Sequence, residues 1–273
     1  MPKSDRRSVP PLSRARVDRF GSSRVKTSLL SVPGAVGAEA AGFTPIGEVM
    51  GSVVHQLGWN GPSRWAADRI KVLADLLRQG YQTALDRLEE EATALGADGV
   101  LGIELTSTSP DGEAQEYVAL GTAVRAATTQ RPHRPFTTDL PGQDVAKLMR
   151  AGWVPVCVAI GVDGRAMTNF NYEIGYGWSV LAGVYGNAEI DLPTALATDV
   201  RAAARAEFAR EIGECGADGG IVSGMTFDLW PVEDVAAAAI ATVTGTAIAR
   251  FHEGRTAPAG ALTILPLNRE LPD

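Results

Sequence analysis

The stretch Gly42-Phe43-Thr44-Pro45-Ile46-Gly47-Glu48-Val49-Met50-Gly51 decides how this chain is read, because it returns as Gly152-Trp153-Val154-Pro155-Val156-Cys157-Val158-Ala159-Ile160-Gly161. Both versions open on glycine and an aromatic, carry a proline in the fourth place and close on glycine. Downstream, Gly96-Ala97-Asp98-Gly99 recurs as Gly216-Ala217-Asp218-Gly219, and Gly121-Thr122-Ala123-Val124 as Gly245-Thr246-Ala247-Ile248. Three matched blocks in one order mark a tandem repeat. Upstream, Pro33-Gly34 and Pro141-Gly142 each precede a short Ala-containing segment that ends at the aromatic. The copies are placed at 29–126 and 135–252. Residues 127–134 read as a linker, since Pro132 and the adjoining Pro135 discourage a packed element. The tail, 253–273, with Pro258, Pro266 and Pro272, reads as irregular.

Each copy carries the same order of elements. The opening block, β-branched around a proline, reads as an edge strand or a strand start. A long amphipathic helix follows. Leu73, Leu76, Leu77, Tyr81, Ala84, Leu85, Leu88, Ala92 and Leu95 keep the three-and-four spacing of one face, as do Leu196, Val200, Ala204, Phe208, Ile212 and Cys215. Asp191 with Pro193 suits a helix start, and Gly80 is a candidate break in the first helix. Gly96 and Gly216 fall just past the last apolar position, where a left-handed stop favours glycine. Strand-like runs close each copy, at 100–106 with 118–125 and at 221–226 with 239–250. The fold expected is α+β, two tandem β-α-β-β units, each a small antiparallel sheet with one long helix. One helix leaves a sheet face bare, so each copy should pack against another.

Composition agrees with a globular protein. The chain has 273 residues, 45% hydrophobic and 21% charged. No apolar run is long enough for a membrane-spanning helix, and the first residues lack the apolar core of a secretory signal. Cys157 and Cys215 are too few for a disulfide framework and read as reduced thiols of a cytoplasmic protein. Charge is uneven. Residues 1–26 hold eight basic residues against Asp5 and Asp18, a balance of +6 in a chain of formal charge −7, which leaves −13 to the rest. This arm, residues 1–28, reads as a solvated, poorly ordered terminus, with weak salt-sensitive nucleic-acid contact through residues 1–26 as its functional alternative.

The blocks Gly47-Glu48-Val49-Met50-Gly51, Leu95-Gly96-Ala97-Asp98-Gly99-Val100 and Gly121-Thr122-Ala123-Val124 resemble the YbjQ-like family, which carries a heavy-metal-binding label. The first copy matches clearly. The second departs from it, with Cys157 in the place of Gly47 and Val222 in the place of Gly102. It also has a longer insertion at 162–190, rich in glycine and aromatics, which could distinguish the copies or take a protein partner. The resemblance implies a small β-α-β-β unit that assembles into a five-fold ring. Five is odd, so two copies per chain imply different rings for the two copies, and a homo-oligomer of chains in multiples of five.

Soft and borderline metals need clustered thiolates and imidazoles. Cys157, Cys215, His55, His133 and His252 form no such cluster, and none recurs between copies. Both cysteines read as small core residues. The acidic residues that do recur are Glu91 with Glu211 and Asp98 with Asp218. With Cys157 they are the candidate ligands for a divalent metal ion shared between subunits. Their simpler reading is structural: the aspartates satisfy turn backbone groups, and the glutamates sit on the solvated helix side. No nucleophile motif, phosphate loop or paired-histidine motif is present, so catalysis is not expected. The sequence thus predicts a non-catalytic oligomeric assembly protein, with binding of metal or another small ligand at subunit interfaces as the alternative.

Overall fold

The computed structural model describes residues 11–22, 27–56, 70–109, 114–168, 191–232 and 236–251. Helix α1 (Pro11–Ser22) lies in the basic arm, and α2 (Val32–Ala40) precedes the first unit. That unit is β1 (Phe43–Gln56), α3 (Ile70–Ala94), β2 (Gly99–Thr108) and β3 (Ala114–Ala126). The short strand β4 (Phe136–Thr137) and α4 (Gly142–Arg150) follow, then β5 (Trp153–Thr168), α5 (Asp191–Glu214), β6 (Gly219–Val232) and β7 (Ala236–Arg250). The β-α-β-β order therefore appears twice, each time behind a short helix.

The duplication extends to irregularities of the backbone. β1 pairs antiparallel with β3 and slips register between Pro45 and Gly47; β5 pairs with β7 and slips between Pro155 and Cys157. Both proline-bearing strands are sheet edges, where a missing N–H costs no ladder bond. Each long helix ends on a left-handed glycine, Gly96 at φ +72° and Gly216 at φ +69°. The next amide then donates back into the last turn, Ala97 to the Ala92 carbonyl and Ala217 to that of Ile212. Helix and strand approach so closely in both units that a Cβ on Gly51 would overlap the Ala84 carbonyl, and one on Gly161 the Ala204 carbonyl.

The sheets differ by one strand. The second has the order β5-β7-β6, whereas the first is β1-β3-β2-β4, with β4 parallel to β2. The first sheet is thus not purely antiparallel, because the opening residues of the second copy complete it.

The bare face is covered within the chain. α3 packs on β1 and β3 by one side and, by the other, joins a core with Val158, Ile160 and Val162 of β5. α5 covers the opposite face of that second sheet through Leu196, Val200, Ala204 and Phe208 against Ala159, Ala239, Ala241 and Val243. Gly80 does not break α3; it admits the Tyr117 ring, which a Cβ would strike.

Three further expectations change here. The arm contains a helix, and its Arg16 is bound to the body. The extra length assigned to 162–190 begins as strand, because β5 runs on to Thr168; the aromatics from Phe170 to Tyr185 and the tail at 253–273 lie outside the described residues. Cys157 and Cys215 are joined as a disulfide, with Cα atoms 6.8 Å apart. Fifty-eight residues separate them in sequence, but the return of α5 onto β5 brings them together.

Candidate assembly interface

The second copy starts by clamping itself to the first. Beyond β4 the chain stays extended along β2: the Phe136 amide donates to the Asp98 carbonyl at 3.1 Å and the Thr138 amide to the Val100 carbonyl at 3.0 Å. In return the Gly102 and Ile103 amides donate to the carbonyls of Leu140 and Thr138. The hydroxyls of the same segment face the second sheet. Thr137 Oγ1 accepts from the Val158 amide at 3.0 Å, Thr138 Oγ1 meets Thr246 Oγ1 at 2.8 Å, and the Asp139 amide donates to Thr246 Oγ1 at 3.2 Å. One short segment is thereby bonded to both sheets. Thr137, Thr138 and Thr246 are all buried.

Two further contacts lie beside it. α2 and α4 touch through backbone: a Cβ on Gly37 would overlap Gln143, and one on Gly142 the Gly34 carbonyl. Val145, Ala38, Leu101 and Val124 close an apolar cluster around them. On the other side, Gln82 of α3 donates to Glu211 of α5 at 3.3 Å, Lys71 lies 3.7 Å from Asp163, and Arg78 lies 3.8 Å from Glu207.

The candidate ligand residues are accounted for by protein partners. Asp98 Oδ2 accepts from the Ala126 amide at 2.8 Å and pairs with Arg131; Asp218 Oδ2 accepts from the Arg250 amide at 2.8 Å. Both reach across to the end of the last strand of their unit, 28 and 32 residues on, rather than to the backbone of their own turn. Glu91 and Glu211 are not on a solvated helix side. Glu91 is fully buried and accepts from Arg16 Nε and Nη2, at 2.6 Å each, while Arg16 Nη2 also donates to the Met50 carbonyl at 3.1 Å. Glu211 accepts from the Ile160 amide at 2.7 Å, and burial holds its carboxyl above the ordinary range. The spacing Ala84–Leu88–Glu91–Leu95, repeated as Ala204–Phe208–Glu211–Cys215, puts both glutamates in line with the apolar stripe. That signal was present in the sequence.

These four acids do not converge, and Cys157 is bonded to Cys215. Among the described residues no three metal-ligating side chains come together. The donors do not fit a heavy-metal centre within one chain. Sequence reading missed a different group, around Tyr117. Its hydroxyl and His55 Nδ1 are buried without a partner among the described residues, and Tyr81 stacks edge-on at 5.2 Å. Burial first, then the neighbouring Tyr81, pushes the Tyr117 hydroxyl up to about 12.

Comparison with known proteins covers much of this framework. The family profile described as "Putative heavy-metal-binding" matches residues 35–127. The chain is 33% identical over 161 residues to the encapsulin nanocompartment protein Rv1762c of Mycobacterium tuberculosis, covering 56% of this chain and 61% of that relative's length. It is 35% identical to a UPF0145 protein of Lacticaseibacillus casei over 30% of this chain and 82% of the relative. A UPF0145 protein of Fervidobacterium nodosum is 38% identical over 29% of this chain and 79% of its own length. The match to nearly whole single-unit relatives, on the unit that carries the three sequence blocks, makes this chain a member of the YbjQ-like family of UPF0145 proteins.

Proposed function

We propose that the protein is a non-catalytic assembly protein whose chains associate in multiples of five into five-fold, ring-like assemblies. The observation that carries this reading is the bond between the two copies: the start of one unit completes the sheet of the unit before it. A unit that finishes its fold with its neighbour's residues is built to be joined. The name of the Mycobacterium tuberculosis relative, an encapsulin nanocompartment protein, also favours a role in large assemblies. Because the copies already adjoin inside the chain, the whole chain is the building block. No helix among the described residues is long and apolar enough to cross a membrane. Native mass spectrometry of the full chain, prepared without chelators, tests the reading. Complexes of five chains or a multiple, without excess mass, are expected. A single-chain mass at every concentration would overturn it, and a stoichiometric metal mass would favour the family's binding label instead.

A further inference from the structure

We propose that the open edge of β6 in one copy of the protein is the docking site for residues Thr27–Leu30 of a second copy, added as a parallel strand. The inference rests on the assembly reading above and names the surface that would carry it.

The leader of the first unit already has the shape of the strand that completes the first sheet. The Leu29 amide donates to Thr122 Oγ1 at 3.0 Å, as the Asp139 amide does to Thr246 Oγ1. The Leu30 amide donates to Ser28 Oγ at 3.2 Å, as the Leu140 amide does to Thr138 Oγ1 at 3.0 Å. Thr27 and Ser28 repeat the hydroxyls of Thr137 and Thr138. The same conformation is thus held on both threonines, yet only the second has a strand beside it. Thr27, Ser28 and Leu29 are exposed.

The complementary vacancy is on β6. Gly220 stands where Val100 stands on β2, as their pairing with Ala247 and Ala123 shows. The Val100 carbonyl is bonded to Thr138; among the described residues the Gly220 carbonyl has no partner on its outer side. Leu101, paired with Thr122, is fully buried, whereas its counterpart Ile221, paired with Thr246, is only half-buried, and the next residue, Val222, is 53% exposed at this edge. Unpaired edges of this kind bind an incoming strand through main-chain hydrogen bonds.

A third contact points the same way. Gly142 at the start of α4 is buried against Ala38 of α2, 3.1 Å from its Cβ position. Its counterpart Val32 at the start of α2 is 79% exposed, and Val36 is 62% exposed. Leu148 of α4 is the counterpart of Ala38. A second copy docked by its leader would bring Val32 onto Leu148. Lys147 and Val32 replace the glycines of the internal helix pair, so this contact is wider than the internal one. The contact is head-to-tail, joining different surfaces of identical chains, and repeats from copy to copy until it closes.

The test uses the full chain and two variants. Ser28→Pro removes the amide that would donate to the Gly220 carbonyl. Val32→Asp places a charge opposite Leu148, at a helix start that tolerates it. With circular dichroism unchanged, each should raise the concentration for half-assembly at least tenfold by mass photometry. In the unaltered protein, hydrogen exchange at the Val222 and Ser223 amides should be at least tenfold slower in the assembled state than after dilution. Wild-type assembly by folded variants, or equal exchange in both states, would overturn the β6 site while leaving assembly intact. A wild-type chain that stays monomeric would overturn both.

Discussion

The two units of this protein share a backbone but are fastened by different chemistry. In the first, arginines from outside the unit neutralise its buried acids: Arg16 of the arm on Glu91, and Arg131 and Arg134 of the joining segment on Asp98 and Glu89. In the second, a disulfide ties α5 to β5, and Glu211 takes its side-chain partner, Gln82, from the first unit. Asp98 is buried while its counterpart Asp218 is exposed. The first sheet has four strands and the second three. A duplicated fold therefore fixes where partners are required, while the partners differ: the first unit draws arginines from the segments on either side of it, and the second uses its own disulfide and a glutamine of the first.

The disulfide is the strongest contrast. Closing a loop of 58 residues in the unfolded chain is worth about 4 kcal/mol in the chain-entropy view. Reduction, or Cys157→Ser with Cys215→Ser, should lower stability to denaturant by about that amount. Unchanged unfolding under reductant would mean that the bridge does not distinguish the units.

The glycines beneath the helices should show no such contrast. Gly51→Val and Gly161→Val each force a side chain into a helix backbone, and each should cost about 3 kcal/mol. A loss at only one site would show that the two helix–strand contacts are not equivalent.

The glutamates come next. Arg16→Ala leaves Glu91 buried without its charged hydrogen-bond donor and should cost about 2 kcal/mol. Gln82→Ala removes one neutral donor from Glu211, which keeps the Ile160 amide, and should cost about 1 kcal/mol. Equal losses in thermal melts would contradict different anchoring.

The smallest effect is a pH dependence. Burial raises the Glu211 carboxyl above its ordinary 4.5, so the folded state holds that proton more tightly than the unfolded chain. The corresponding stability is fully present below pH 4.5 and is lost as pH rises through the raised value. Glu211→Gln should therefore be more stable than the parent at pH 7 by a few tenths of a kcal/mol, with the difference disappearing below pH 4.5. A gap that widens toward acid would show that ionised Glu211 is the favoured form.

Much of the fold was legible because it depends on local, repeated signals. The proline-bearing strands, the glycine helix stops and the apolar stripes follow from residue types at fixed spacings; the strand ends that Asp98 and Asp218 hold do not. What was not legible depends on long-range placement. Nothing near Arg16 in sequence shows that it will meet Glu91, 75 residues on. The closeness of Cys157 and Cys215 follows from the return of a helix over a strand. β4 is two residues long and gains its meaning only from the β2 edge it joins. The helices α2 and α4 were visible only as short alanine-containing segments, because each is nine residues long and their mutual contact is made by glycine backbone.

The most direct measurement is sedimentation of the full-length chain across a wide concentration range. Head-to-tail joining through β6 and the leader predicts a discrete, closed assembly that dissociates to single chains on dilution, and the family reading adds that its chain number is a multiple of five. A single-chain sedimentation coefficient at all concentrations would contradict it.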